Sequence, residues 1–239
     1  TVTIAIENGL VTPRTPGKLY LETPAGKVEI SYTLQGRKVR SVKLTNVPSF
    51  LHSRGLEVEC PELGGSLKFD MAYGGNFYAI IEPQQGYADL DQLTAADIVR
   101  LSPLLRDRIN ERYRFSHPND ERLSHMRHVL WAGKPLKHGS DARNAVFYGD
   151  SAIDRSPCGT GTSSRMAQLS ARGELSVGDP FIHESYIGTR FTGRVEAETR
   201  VGEYPAIVPS IEGWARVYGH NVITVDPDDD PLWEGFVVT

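Results

Sequence analysis

The sequence is poor in cysteine, with only Cys60 and Cys158 among 239 residues. Two cysteines are too few for a scaffold held by several disulfides, and neither lies in a CxxC or histidine-spaced pattern typical of a metal site. No apolar run approaches the roughly 18 to 20 residues that a membrane-spanning helix needs. Basic residues are scattered and the formal net charge is -4, so nothing attracts nucleic acid or an anionic membrane. We therefore expect a small-molecule partner and a cytoplasmic location.

Two long segments alternate apolar and polar residues, which is the pattern of half-buried strands. Residues 18–47 do so around turn residues at 24–26 and 35–36, and residues 56–82 continue the pattern. Further short strands are predicted at 127–131, 145–148, 184–199, 206–219 and 221–225. Turns between neighbouring strands favour mostly antiparallel sheets.

Helical spacing occurs in three places. From 91 to 113, apolar residues recur every three to four positions behind Thr94, a residue type that caps helix N-termini. Residues 163–173 contain helix formers and end at a glycine. The opening TVTIAIENGLV is typical of the tail of an amphipathic helix closed by the Asn-Gly pair at 8–9. Many strands with isolated helices indicate an α+β fold.

The most informative segment is DRSPCGTGTSSR, residues 154–165, in which Cys158 stands directly before a glycine-rich helix start. Unpaired amides and the helix dipole at such a position bind anions and favour a thiolate. A thiolate can serve as a nucleophile or a general base. Asp154 is close enough in sequence to hold a cationic amine, so the pocket would match an amino acid. The alternative is structural: Cys158 is a small buried residue and Asp154 a turn former.

Four segments, in this order along the chain, resemble the proline racemase family over essentially its whole length: LTNVPSFL at 44–51, AYGGNFYAIIE at 72–82, ARNAVFYGD at 142–150 and DRSPCGTGTSSRMA from 154. The resemblance implies a diaminopimelate epimerase-like fold, with two similar lobes that each wrap a curved, mostly antiparallel sheet around a central helix. Residues 1–45 would belong to the first lobe, to which 219–239 would return. Residues 46–218 would form the second lobe and carry the Cys158 motif.

The resemblance also implies a chemistry. Members of the family invert the α-carbon of a cyclic amino acid without a cofactor, using two cysteines on opposite faces of the substrate. Cys158 matches the second cysteine, Gly159 and Thr160 match the positions whose backbone binds the substrate carboxylate, and Asp154 matches the carboxylate that holds the ring nitrogen. We expect 4-hydroxyproline as the substrate, with proline as the alternative. The cysteine at 158 separates both activities from the related 3-hydroxyproline dehydratases, which typically have threonine there.

One feature of the family does not occur in these 239 residues: the Met-Cys-Gly-His motif that holds the first catalytic cysteine. We expect the first lobe to be incomplete, because TVTIAIENGLV matches the body of the helix that follows this motif. Cys60 is a poor replacement, since ECPEL has no glycine and no helix start. A non-catalytic, amino-acid-binding fragment is therefore an alternative function. A cysteine hydrolase lacks support because no Cys/His/Asn framework accompanies Cys158.

Further pocket candidates come from the resemblance. A histidine near the substrate about thirty residues before the second cysteine matches His128, although His125 is close enough to confuse the match. Tyr148 lies ten residues before Cys158, where a pocket wall is expected. Both have structural readings, a strand histidine and a core tyrosine, and His183 and His220 are expected at the surface. The family often forms homodimers, whereas the residues themselves fix no oligomeric state.

Overall fold

The computed structural model describes residues 1–235. Three α-helices lie in this part of the chain: α1 (Val2–Glu7), α2 (Ala95–Arg112) and α3 (Gly159–Ala171). The strands are β1 (Lys18–Thr23), β2 (Gly26–Gln35), β3 (Lys38–Thr45), β4 (Ser49–Cys60), β5 (Gly65–Tyr73), β6 (Phe77–Ile81), β7 (Ser116–His117), β8 (Asp120–Ser124), β9 (Met126–Gly133), β10 (Ala142–Tyr148), β11 (Ala152–Ile153), β12 (Pro180–Glu184), β13 (Arg190–Val201) and β14 (Tyr204–Gly213).

Eight of these strands close into a barrel. Their order is β4, β5, β6, β9, β10, β12, β13 and β14, and the ring closes where Ala206 of β14 pairs with Phe50 of β4. The pairs β6–β9 and β10–β12 are parallel and the others are antiparallel. The predicted α+β class with mostly antiparallel strands is confirmed as a mixed barrel with few helices.

A three-stranded extension continues the sheet beyond the barrel. The last part of β14 pairs with β3, with Ser210 opposite Thr45, and β2 and β1 follow in order. Helix α1 packs here through Val2, against Val28 and Ile30 of β2. The predicted division at 45/46 falls between the extension and β4, and the lobe assignment itself stays a prediction. Residues 236–239 of the predicted return to the first lobe lie outside the described residues.

The barrel strands are apolar on both faces because both faces are covered. On one face, Phe77, Ala79 and Ile81 of β6 belong to the cluster that includes the apolar side of α2. On the other face, Tyr78 and Ile80 of β6 join the cluster that reaches Cys158 at the start of α3. Successive residues of a strand point to opposite faces. The barrel therefore wraps α3 and carries α2 on its outer side.

Two expectations about element bounds need correction. Helix α2 begins at Ala95 with the predicted cap, because Thr94 and Asp97 form a reciprocal capping box. Helix α3 begins at Gly159, directly after Cys158 as the glycine-rich start indicates, so the span of helix formers at 163–173 is extended by four residues toward the N-terminus. The predicted strand at 221–225 is wrong: this segment pairs with no strand of the described residues. Alternating apolar residues form a strand only where a neighbouring backbone can pair with them.

The turn between β5 and β6 is pressed against α3. A Cβ atom on Gly74 would lie 2.4 Å from the Thr160 carbonyl oxygen and 2.6 Å from the Ser164 amide nitrogen. Asn46, which is buried, donates one Nδ2 hydrogen bond to the Gly74 carbonyl oxygen at 2.8 Å and another to Ser163 Oγ at 2.9 Å. The missing side chain at position 74 is thus what lets the barrel wall touch the first turn of α3.

We expect Gly74→Ala to lower the free energy of unfolding by about 2 kcal/mol or more, because the added methyl group meets backbone atoms that cannot move independently. Urea unfolding followed by circular dichroism measures the change. Gly65→Ala is the matched control, since a Cβ there meets no atom within 4 Å, and its effect is expected to stay within about 0.5 kcal/mol. Equal effects of the two substitutions would contradict the packing argument.

Candidate active site

Cys158 is the N-cap residue of α3 and has a backbone φ of 63°. This left-handed conformation is strained for a residue with a side chain and needs support from its surroundings. The support comes from both sides: the Cys158 amide donates to Ser156 Oγ at 3.1 Å, and Cys158 Sγ accepts from the Gly161 amide at 3.3 Å. The sulfur atom is thereby fixed at the helix start.

Asp154 builds the loop that leads to this cysteine. Its Oδ1 atom accepts hydrogen bonds from the Ser156 amide at 2.8 Å and from Ser156 Oγ at 2.9 Å. Its other oxygen, Oδ2, makes no hydrogen bond to the described residues. The side chain is half-buried, so one carboxylate oxygen serves the loop and the other is available to a ligand.

Tyr78 connects the cysteine to the barrel wall. Its hydroxyl oxygen lies 3.3 Å from Cys158 Sγ and 2.6 Å from Thr160 Oγ1. His128 lies on the neighbouring strand, directly opposite Tyr78, and stacks on its ring with the centroids 5.0 Å apart. Burial lowers the pKa of His128 below its ordinary value, and its Nδ1 atom has no partner among the described residues. The histidine is therefore held neutral beside Tyr78.

The pKa of Cys158 is raised rather than lowered. Burial is the largest cause, and the charge of Asp154 adds to it, while the hydrogen bonds from Tyr78 and the Gly161 amide act in the opposite direction. The sequence-based expectation that the helix start lowers this pKa is thus wrong. Taking a charge out of water opposes ionisation, and the hydrogen bonds from Tyr78, the Gly161 amide and Thr160 do not offset that cost.

A cavity of about 840 Å³ opens beside the start of α3. Gly159 and Thr160 form part of its wall, while Cys158 and Asp154 do not line it. Its other walls come from the extension and from the β7–β8 hairpin with the residues that follow it; they include Leu21, Val28, Ile30, Leu44, Asn46, Arg122, His125 and Arg127. The cavity therefore places two helix-start backbone amides next to apolar strands and basic side chains.

The structure brings Cys158, Asp154, Gly159, Thr160 and His128 close together around the start of α3. Tyr148 differs, because it lies at the end of β10 with 46% of its surface exposed and does not line the cavity. Its predicted role as a pocket wall stays untested.

Cys60 is fully buried in the cluster on the α2 side of the barrel wall. Its environment there is that of a structural cysteine. Burial, together with the charge of Glu62, raises the pKa of its thiol.

The expectation that His183 lies at the surface is wrong. It is fully buried, and its Nδ1 atom lies 2.9 Å from Thr162 Oγ1 in the first turn of α3. Asn144 contacts the same ring and donates to the Pro157 carbonyl oxygen at 2.8 Å. His183 and Asn144 thus fix the start of α3 through hydrogen bonds to Thr162 and Pro157. A signal was present in the strand alternation, since Phe181 and His183 lie on the same face of β12. His220 is exposed, as expected.

The sequence did not predict two other residues of the site, Asn46 and Tyr78. Asn46 lines the cavity and ties the Gly74 turn to α3, but nothing in its sequence context separates it from a turn residue. Tyr78 carried a weak signal, because the alternation of β6 puts it on the face opposite Phe77. Only the folded barrel places its hydroxyl beside Cys158.

The family model described as "Proline racemase" matches residues 1–237. The chain belongs to the proline racemase family. A Brucella suis biovar 1 protein named 4-hydroxyproline 2-epimerase is 60% identical over 238 residues, which is 100% of this chain and 71% of that protein.

Two solved structures are similar over 99% of this chain at 33% sequence identity. A hydroxyproline epimerase from Agrobacterium vitis, with trans-4-hydroxy-L-proline bound, has a TM-score of 0.88, and 67% of its chain is covered. A probable proline racemase from Agrobacterium radiobacter K84, with carbonate bound, has a TM-score of 0.87, and 69% of its chain is covered. Within the part of the chain that the structure describes, no helix combines the length and apolar character needed to cross a membrane.

The buried His183 predicts a pH dependence of stability. Burial lowers its pKa to about 3 from the ordinary 6.5. Between pH 6.5 and pH 3, His183 is therefore protonated in the unfolded chain and neutral in the folded chain. Its contribution to the unfolding free energy is complete above about pH 6.5 and decreases as the pH falls toward 3. The slope from this one group is about 1.4 kcal/mol per pH unit. His183→Gln should remove it, making the unfolding free energy fall less steeply between pH 6 and pH 4.

Urea unfolding at several pH values tests this expectation. His220→Gln is the matched control, since it removes an exposed imidazole and should keep the wild-type slope. A slope unchanged by His183→Gln would contradict the assignment of His183 as a neutral support of α3.

Proposed function

We propose that this chain is a 4-hydroxyproline 2-epimerase, which inverts the α-carbon of trans-4-hydroxy-L-proline to give cis-4-hydroxy-D-proline. The observation that carries the proposal is the 60% identity, over the whole chain, to a protein of that name. The Agrobacterium vitis hydroxyproline epimerase with its bound amino acid gives further support. The arrangement around Cys158 offers one of the two bases that such a reaction needs.

The fold supports a two-lobed arrangement of the site. In this proposal the extension, residues 1–45, belongs to one lobe, with 219–239 returning to it, and residues 46–218 form the other. The cavity has walls from both parts, with Leu21 and Val28 on one side and Gly159 and Thr160 on the other. A substrate bound at the start of α3 would lie at the edge of this cavity, because Gly159 and Thr160 line it while Cys158 and Asp154 do not.

The start of α3 offers groups for each end of an amino acid. The amides of Gly159 and Thr160 are the first two of the helix, so they have no acceptor within it and can donate to a carboxylate. The free Oδ2 atom of Asp154 can accept from the ring ammonium. His128 and Tyr148 are proposed to contact the rest of the substrate, His128 from beside Tyr78 and Tyr148 from the end of β10.

Cys158 is proposed as one of the two bases. Its thiolate removes the α-proton, and the electron pair of the broken C–H bond moves into the carboxylate, where the two helix-start amides stabilise the developing charge. A proton delivered to the opposite face of the carbon completes the inversion, with no net oxidation or reduction and no cofactor. The second base is predicted to be a cysteine of a Met-Cys-Gly-His motif, which these 239 residues do not contain.

Two other functions make different predictions. A proline racemase would act on L-proline at least as well as on the hydroxylated substrate, and the Agrobacterium radiobacter protein gives this reading some support. An amino-acid-binding protein without catalysis would bind the ligand at the start of α3 and leave its α-proton in place.

Proton NMR of trans-4-hydroxy-L-proline in deuterated water tests the proposal. With a protein that contains the second base as well as these 239 residues, we expect loss of the α-proton signal with appearance of the cis-D epimer. Cys158→Ser should slow the exchange by about 10²-fold to 10⁴-fold, since a positioned base contributes on this order. Cys60→Ser is the matched control and should leave the rate unchanged, because Cys60 is buried on the other side of the barrel wall.

Each alternative has its own outcome. Faster exchange with L-proline than with the hydroxylated substrate would replace the proposal by a proline racemase. Exchange at the α-carbon without any epimer would indicate that Cys158 works alone on one face. Saturable binding without exchange of either compound would refute catalysis by this chain and identify a binding protein.

A further inference from the structure

Tyr78 is the side chain of the barrel wall that reaches the sulfur of Cys158. It is 1% exposed, and its ring is clamped by the stacked His128. Its hydroxyl oxygen lies within hydrogen-bond distance of two different groups, Thr160 Oγ1 at 2.6 Å and Cys158 Sγ at 3.3 Å. The same oxygen is thus in contact with the proposed base and with a residue of the proposed carboxylate site.

The phenol can act only as a hydrogen-bond partner and not as a base. Burial raises the pKa of Tyr78 well above its ordinary value, and the neighbouring Cys158 adds to this effect. The hydroxyl therefore keeps its proton at neutral pH. It has one hydrogen to donate and can accept in return.

The protonation state of Cys158 decides where that hydrogen goes. When the thiol carries its proton, it can donate to the Tyr78 oxygen, and Tyr78 can donate to Thr160 Oγ1. When the sulfur is ionised it only accepts, so Tyr78 donates to the sulfur and Thr160 can donate to the Tyr78 oxygen. Both arrangements use the same three positions. No heavy atom has to move as the base loses and regains its proton.

We propose that Tyr78 is the positioning residue of the Cys158 base: its hydroxyl donates to the thiolate and turns to Thr160 when the thiol is restored. This inference rests on the proposed function for its place in a reaction, but its physical content concerns the thiol alone. A hydrogen bond to a charged acceptor is stronger than one to a neutral acceptor. Tyr78 should therefore favour the ionised state that burial disfavours.

The other groups facing the sulfur do not serve this purpose. The Asp154 carboxylate opposes ionisation through its negative charge, and its Oδ1 atom is engaged with Ser156. His128 lies against the ring of Tyr78 rather than against the sulfur. The Gly161 amide donates to Sγ but belongs to the backbone, where it cannot turn away. Thr160 Oγ1 also lies within hydrogen-bond distance of Sγ, at 3.7 Å, but the Tyr78 oxygen is closer, at 3.3 Å. Tyr78 is thus the nearer of the two side-chain hydroxyls that can follow the proton.

The test is the rate of alkylation of Cys158 by iodoacetamide as a function of pH, read by peptide mass spectrometry without substrate. Tyr78→Phe keeps the ring, and with it the stacking on His128, and removes only the hydroxyl. We expect alkylation about tenfold slower at any pH below the ionisation midpoint, which corresponds to about 1.4 kcal/mol. The whole profile should move to higher pH.

Tyr87→Phe is the matched control. Tyr87 is also 1% exposed, and its hydroxyl donates to the Ala132 carbonyl oxygen at 2.7 Å, so the substitution removes a buried tyrosine hydrogen bond remote from Cys158. It should lower stability and leave the Cys158 profile unchanged. A folded Tyr78→Phe protein with the wild-type profile would overturn the proposal.

A measurement on the unaltered side chain covers the case in which Tyr78→Phe does not fold. With tyrosine labelled by carbon-13 at Cζ, one resonance should shift with the same pH midpoint as alkylation, and this step should disappear in Cys158→Ser. No such resonance would overturn the proposal. Because neither readout needs turnover, loss of the epimerase proposal would leave this inference standing, and the reverse holds as well.

Discussion

The buried start of α3 is the constraint on which this structure depends. Residues 161–169 of the helix are buried, and several are polar, so each needs a partner inside the barrel or costs about 1–3 kcal/mol. The barrel supplies them: Asn46 binds Ser163, and His183 binds Thr162. Close to the other end of the helix, Gln168 donates to Asp70 at 2.8 Å. The closed sheet and the buried helix therefore stabilise each other.

The same constraint shapes the chemistry. A cysteine at the mouth of a buried helix is held within hydrogen-bond distance of an amide and a phenol, but it loses the water that would stabilise its charge. The donors around Cys158 reduce this penalty without cancelling it. In the proposed reaction, a thiolate with a raised pKa is a stronger base toward the weakly acidic α-proton.

Local sequence patterns correctly predict the local features of the structure. The capping residue Thr94 and the cysteine before a glycine run are local features, and the structure bears out their geometry. Local patterns do not predict features that depend on contacts with distant segments of the chain. The acidity of Cys158 depends on burial by other strands. The strand predicted at 221–225 lacked a partner in the described chain, although its own pattern was suitable.

The sequence by itself determined the family, the mixture of strands and isolated helices, and the motif at 154–165, because these depend on residue order and local spacing. The tertiary structure decided which side chains meet that motif. Tyr78, His183 and Asn46 lie far from it along the chain and reach it only when the barrel closes around α3. A hydrogen bond between segments of unrelated sequence leaves no local signal. Its energy is realised only in the folded state.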